Sequence, residues 1–344
     1  MNYRYTNSPE KYWLAAHLYY AEPWDTFLVK AVHPFIQTVI DNNWAEQFFF
    51  IRYWEKGPHI RLRLKGDRRI LEKEVQPRLE NNIFRYYKTN PSHRREPEPE
   101  NLSEEQQWFP NHSIQFIEYE PEVERYGGAA GILIAEKQFE LSSRVVLEII
   151  RASSDWGYDR ALGAGIQLHL AFACALGMDL EETTAFYARI FEGWFGWGLG
   201  LYGLTNKQPD TASQNRREST LNGFKEQFKI QQSQLIPFHQ TLWNALKNHL
   251  AFDQEWLNDW VENMTEIGKE LRKEQKTGQL EYPAGFHITP AINIPQDRQR
   301  LWSILFSYVH MTNNRLGIMN RDEAYLGYLI KRSLEAMQKN EPVG

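Results

Sequence analysis

The chain of 344 residues contains one cysteine, Cys174. A disulfide framework is therefore excluded, as is a metal cluster built on several cysteines. No run of about 18 apolar residues occurs, so no transmembrane helix is expected. The segment Met1 to Pro9 lacks the apolar core of a secretory signal, which sets the expectation of a cytoplasmic protein. Positive charge is not in excess: 39 Lys and Arg stand against 44 Asp and Glu, a net of −5. A chain balanced this way is not expected to bind nucleic acid directly. No His-x-x-x-His pair, phosphate-cradling glycine loop or Gly-x-Ser-x-Gly elbow is present, so neither a metal nor a nucleotide cofactor is expected. Aromatic residues, by contrast, are abundant: 12 Trp, 17 Tyr and 19 Phe. Rings fill cores and also line clefts that grip ligands, and composition leaves both uses open.

Two parts of the chain read differently. Residues 1–135 carry strand signals and residues 136–344 read as helical. The expected class is α+β, a β-sheet-containing N-terminal half packed with a largely helical C-terminal half, as one catalytic domain over 1–344. Residues 47–53 (Gln-Phe-Phe-Phe-Ile-Arg-Tyr) have the aromatic and β-branched content of a strand. A Gly57-Pro58 turn follows, then strict alternation over 59–64 (His-Ile-Arg-Leu-Arg-Leu), so the pair reads as a hairpin. Further strands are expected at 113–119 and 14–20. Helices are expected at 138–154, 158–176, 180–195, 224–250, 253–274, 297–312 and 321–339. Asp179 to Glu182 supplies an N-terminal capping signal. Residues 61–95 hold eleven Lys or Arg and four Asp or Glu, whereas 96–124 hold nine Glu and no basic residue. The Glu-Pro repeat at 96–100 predicts an exposed loop, and 193–203 reads as a loop of glycines and aromatics.

Three segments can carry chemistry. In the strand at 59–64, Ile60, Leu62 and Leu64 are expected to face a core, with His59, Arg61 and Arg63 together on the opposite face. Two guanidiniums in such a row either bind an anion bidentately or stand on an ordinary solvated face. Next, Glu122 and Arg125 are three apart and can share a helical turn, ahead of a Gly127-Gly128 reversal. Finally, a helix from Asp297 is expected to end near Asn313 or Asn314. That puts His310 in its last turn, beside Asn314 and Arg315. His169 lies in an apolar helix and is read as a core histidine. Asp155 to Arg160 is read as capping.

Taken in order, Phe-Phe-Ile-Arg-Tyr-Trp (49–54), His-Ile-Arg-Leu-Arg (59–63), Glu-x-x-Arg-Tyr-Gly-Gly (122–128) and Ser-x-x-His-Met-x-x-Asn-Arg-Leu (307–316) resemble the C-terminal elimination domain of class I lantibiotic dehydratases. The form resembled is the stand-alone one, found in thiopeptide-type bacteriocin biosynthesis, and the resemblance covers nearly the whole chain. It implies a partner subunit that uses glutamyl-tRNA to esterify Ser or Thr of a leader-bearing precursor peptide with glutamate. The elimination domain then expels glutamate and leaves dehydroalanine or dehydrobutyrine. It also implies catalytic roles for Arg61, Arg63, Glu122, Arg125 and His310, substrate contacts from Arg52, His59, Asn314 and Arg315, no metal or cofactor, and a homodimer.

The residue types suit that chemistry. Removal of a Cα proton develops an enolate, for which a fixed positive donor is worth about 3–4 kcal/mol. Arginines can clamp glutamate carboxylates, and a histidine can move the proton. Two features depart from the full-length enzymes: the glutamylation domain is missing, and 88–110 reads as an insertion. Two other readings follow. One is a family member that closes a pyridine ring by formal [4+2] cycloaddition. The other is a non-catalytic subunit that binds the peptide by strand addition.

Overall fold

The computed structural model describes residues 11–97, 103, 106–198, 211–283 and 293–340. It divides into two compact units. The first comprises residues up to Pro121 together with Phe139–Trp156, and the second Glu122–Gln138 with everything from Gly157 onward.

The first unit is built on a four-stranded antiparallel sheet. Strands β1 (Lys11–Tyr19), β2 (Gln47–Tyr53), β3 (His59–Asp67) and β4 (Ile114–Phe116) lie in the order β2-β3-β1-β4. The predicted hairpin is there: Arg61 pairs with Ile51 on one side and with His17 on the other. The expected strand at 113–119 forms only over three residues, and the one at 14–20 starts earlier, at Lys11. Two helical stretches pass unnoticed in the sequence. Asp25–Phe27, a π turn at Leu28–Val32 and His33–Asp41 run on as α1, and Arg68–Ile70, a π turn at Leu71–Val75 and Gln76–Thr89 form α2. Charged residues crowd α2 and dilute its apolar stripe. Yet Leu71, Val75, Leu79 and Ile83 keep helical spacing and are fully buried. Facing residues across the ladder share a side, so Leu14, Leu18, Phe48, Phe50, Ile60, Leu62 and Leu64 form one apolar face, all buried.

The second unit is helical. A 3-10 turn at Val123–Tyr126 leads into α3 (Gly128–Ala152), followed by α4 (Tyr158–Ala175), α5 (Leu180–Gly198), α6 (Thr211–Lys247), α7 (Glu255–Lys276), α8 (Gln296–Leu316) and α9 (Asn320–Asn340). The second part of α3, from Phe139, belongs to the first unit. There its Ser143 hydroxyl accepts the amide of Phe50 at 3.1 Å, closing the free edge of β2. Within the second unit α5 packs along α9 and α4 along α7, where Trp260 donates its indole N–H to the Leu168 carbonyl at 3.0 Å. Among the described residues, no helix is long and apolar enough to cross a membrane.

Four expectations about elements change, and the first is that the helix expected from 224 already begins at Thr211. The glycine-aromatic loop expected from 193 is helix as far as Gly198, and its remainder lies outside the described residues, as does most of the Glu-Pro repeat. The helix starting at Gln296 does not stop at Asn313. It runs to Leu316 and is capped by Gly317 at φ 80°, with the amides of Gly317 and Ile318 donating to the Asn314 and Asn313 carbonyls. His310 thus sits inside the helix, away from the terminal dipole that a last-turn position would have given it. Finally, α3 begins ten residues ahead of the predicted start, directly at the Gly127-Gly128 reversal.

Candidate active site

In the first unit the hairpin presents His59, Arg61 and Arg63 on one face of β3, as alternation predicts. Their ladder partners on that face are Tyr19, His17 and Ala15 on β1 and Tyr53, Ile51 and Phe49 on β2. This face is not a solvated one. His59 is 0% exposed, His17 5% and Arg63 9%. The alternation therefore separated apolar from polar side chains without separating buried from wet ones, because elements remote in sequence cover both faces.

Each group on this face is held by its neighbours. The Gly57 carbonyl can only accept, so His59 Nδ1 donates to it at 2.7 Å. His59 Nε2 is then an acceptor and receives Arg61 Nε–H at 3.2 Å. The Arg61 guanidinium lies 3.5 Å from the centre of the Tyr53 ring, and its far end is 3.8 Å from the Glu55 carboxylate. Arg63 lies over the Tyr119 ring at 4.3 Å and near Phe49 at 5.1 Å. A ring face of this kind attracts a guanidinium through its quadrupole and helps to hold it in place. Burial, with Arg61 close by, pushes His59 down to about 4. His17, stacked on His59 at 4.9 Å, is pushed to about 3 by burial, then by Arg61, His59 and Arg63. Both rings are neutral at pH 7, so the positive charge of the face resides in its arginines and in Lys65, the next residue of β3 on that side.

Arg52 does not join this row. It pairs with Ile60 in the ladder and so belongs to the opposite face, where its Nη2 donates to Asp25 Oδ1 at 2.6 Å. Phe48, Phe49 and Phe50 are buried, so this run serves the core rather than an open cleft wall.

In the second unit the Gly127-Gly128 reversal brings the 3-10 turn against α8. Both glycines have φ near +80 to +100°, and a Cβ on Gly127 would meet the Ile304 side chain at 2.6 Å. This places Arg125, whose Nη1 donates to Glu122 Oε2 at 2.9 Å and whose Nε donates to Ser307 Oγ at 3.1 Å. Burial acts against the Arg125 charge, but Tyr126, Glu122 and Glu323 together raise its pKa above the ordinary arginine value. Ser307, His310 and Asn314 follow one stripe of α8 at helical spacing. Arg315 falls off that stripe. It is fully buried and donates from Nη1 to the Met311 carbonyl at 2.8 Å.

His310 has two partners that spacing does not reveal. Glu323, from the first turn of α9, faces it with Oε1 at 2.8 Å from Nδ1. Trp194 from α5 stacks on the imidazole at 4.7 Å, rings 30° apart. The Glu323 side chain is fully buried, while His310 keeps 18% of its side chain exposed. Asn313 Nδ2 donates to Glu323 Oε2 at 3.0 Å, and His169 Nε2 contacts Asn313 Oδ1 at 2.8 Å. His169 is thus the satisfied core histidine expected of it, lowered to about 4 by burial. The only sequence signal for Glu323 was an acidic residue early in a helix, which reads as a helix-dipole partner.

The α+β class and this site can be set beside known proteins. The sequence matches the "Lantibiotic biosynthesis dehydratase C-term" family over residues 13–334. The chain belongs to that family. Among the solved structures that share its fold are the following three. The pyridine synthase TbtD from thiomuracin biosynthesis superposes with a TM-score of 0.72 at 16% identity, covering 95% of this chain and 99% of that one. TsrL gives 0.64 at 18% identity, with 96% of each chain covered. The tRNA-dependent lantibiotic dehydratase MibB from Microbispora sp. 107891 gives 0.57 at 17% identity, covering 99% of this chain but 29% of that one. No curated protein sequence matches.

Proposed function

We propose that this protein eliminates glutamate from glutamylated Ser or Thr of a ribosomally made precursor peptide, leaving dehydroalanine or dehydrobutyrine. The observation that carries this reading is His310, part exposed and paired with Glu323, on the same stripe of α8 as the serine that holds Arg125. A base beside a fixed cation is what proton removal next to a carbonyl requires. In the proposed step His310 Nε2 takes the Cα proton, the electron pair forms the Cα=Cβ bond, the Cβ–O bond breaks, and glutamate leaves as a carboxylate. Arg61, Arg63 and Arg125 receive the glutamyl carboxylates and the developing enolate charge, and Glu122 orients Arg125. His59 holds Arg61, and Asn314 borders the site on α8. A separate subunit that depends on glutamyl-tRNA would supply the ester, and a leader on the peptide would deliver it. The whole chain then acts as one catalytic domain in the cytoplasm.

Incubation with a glutamylated precursor peptide tests this directly. The expected mass spectrum shows loss of one glutamate at each modified residue. An unchanged ester would sink the reading.

A second reading has its own support. TbtD, a pyridine synthase, is matched over 99% of its length, whereas MibB is matched over 29%. On that reading the substrate is a peptide already bearing two dehydroalanines, joined by [4+2] cycloaddition. The Arg/Glu/His set favours elimination, since cycloaddition has no glutamate to expel. Turnover of the bis-dehydroalanine peptide alone, with the glutamyl ester untouched, would decide for the cyclase.

A further inference from the structure

We propose that Glu323 is a positioning residue that fixes which nitrogen of His310 carries the proton, through a buried hydrogen-bond chain that runs on to His169. The inference rests on the reading of His310 as the proton-handling group and deepens it.

The directions in the chain follow from donor and acceptor chemistry. A carboxylate only accepts. His310 Nδ1, 2.8 Å from Oε1, therefore donates, and so does Asn313 Nδ2, 3.0 Å from Oε2. With its amide nitrogen committed to Glu323, Asn313 presents Oδ1 to His169, whose Nε2 donates across 2.8 Å. His169, Asn313 and Glu323 are all 2% exposed or less, so water does not compete for these groups. The outcome at the open end is a single tautomer, in which Nδ1 of His310 is occupied and Nε2 holds the free lone pair. The Trp194 ring, stacked at 4.7 Å, holds the imidazole plane. A base needs this lone pair presented at a fixed angle, and an imidazole in the other tautomer carries a hydrogen there instead.

The chain also dictates what a glutamine at 323 would do. Its amide must place oxygen toward one neighbour and nitrogen toward the other. Nitrogen toward Asn313 would oppose two donors, and relieving that clash would mean turning Asn313 and switching His169. Nitrogen toward His310 demands one change alone: the His310 tautomer reverses, and Nε2 becomes a donor. Glu323→Asp keeps an acceptor-only group and so keeps the direction, at a longer reach.

The experiment uses the full chain with ¹⁵N-labelled histidine, read by long-range ¹H–¹⁵N correlation, alongside elimination kinetics on the glutamylated peptide. Wild-type protein should show His310 protonated at Nδ1. Glu323→Gln should show it protonated at Nε2, with kcat lower by roughly 10²–10⁴-fold, the range a general base contributes, and KM changed less than threefold. Glu323→Asp should keep the wild-type tautomer and recover at least tenfold of the lost rate. His169→Gln offers a second handle should Glu323→Gln fold poorly, since its amide can donate to Asn313 Oδ1 and should leave the His310 tautomer as in wild type. An unchanged tautomer and rate in Glu323→Gln overturns the proposal, as does an Nε2-protonated wild type. A wild type without elimination activity overturns the functional reading instead, and the tautomer measurement still decides the positioning of His310.

Discussion

The two units fix their candidate site residues by different means. In the first, a sheet face holds Arg61 and Arg63 against the rings of Tyr53, Tyr119 and Phe49, with His59 tying down Arg61 through one nitrogen. In the second, helices hold Arg125 and His310 through directional hydrogen bonds to Glu122, Ser307 and Glu323. Stacking fixes a plane but not a proton, and suits a group that binds charge. A carboxylate fixes a proton, and suits a group that must give or take one. The contrast is one of separation as well. Strand residues two apart share a face by covalent geometry, whereas Arg125 and Ser307 are 182 positions apart and meet only because the chain folds.

The comparison is broken most sharply by removing one member from each side. His310→Ala should cut elimination by roughly 10²–10⁴-fold with little change in KM, measured by single-turnover mass spectrometry. Arg63→Lys retains the charge but loses the planar fork, so it should raise KM by about tenfold or more and lower kcat less. Equal effects of both substitutions on kcat alone would end the division between charge binding and proton transfer.

A pH series tests a feature that the two units share. Burial lowers His17 to about 3 and His59 to about 4 in the first unit, and His169 and His239 to about 4 in the second. Each stays neutral in the folded chain while its unfolded counterpart gains a proton below about 6.5. Their contribution is therefore complete above pH 6.5 and lost as pH falls toward 4. The slope is at most about 1.4 kcal/mol per pH unit for each group. Urea denaturation at steps from pH 7.5 to 4.5 should show this loss, and a flat profile would contradict the neutral rings.

Glu140 gives the opposite sign. It is half-buried on the part of α3 that belongs to the first unit, and burial raises it to about 7 despite Arg144, Gln47 and Lys65. A raised carboxyl contributes stability below the unfolded pKa, and that stability is lost as pH rises through 7. Glu140→Gln should thus gain on the order of 1 kcal/mol at pH 8 and nothing at pH 4. The smallest effect is expected from Tyr53→Leu, which removes the ring under Arg61. A contact of this type is worth about 0.5–1 kcal/mol, so KM should rise two- to fivefold with kcat unchanged.

Much of the first unit was legible because period-2 alternation acts within six residues. The shared face of His59, Arg61 and Arg63 came from it, and the hairpin at 47–64 from it together with the aromatic content of 47–53 and the Gly57-Pro58 turn. Arg52 shows its limit: the motif placed it with the others, but its ladder partner is Ile60, and it turns to Asp25. In α2 the apolar stripe of Leu71, Val75, Leu79 and Ile83 is one residue wide and set among charged neighbours, which is a weak helical signal.

By itself, then, the sequence determined the α+β class, the hairpin, the succession of helices from residue 138 onward and, through motifs in order, the family. These depend on local periodicity and on side-chain chemistry that survive in one dimension. Tertiary structure alone decided that the polar face of β3 is buried, that Arg125 meets Ser307, and that Glu323 reaches His310 while Asn313 and His169 lock it. Those facts depend on which helix faces which. Packing sets that through burial of surfaces far apart in the chain, and no spacing rule carries it.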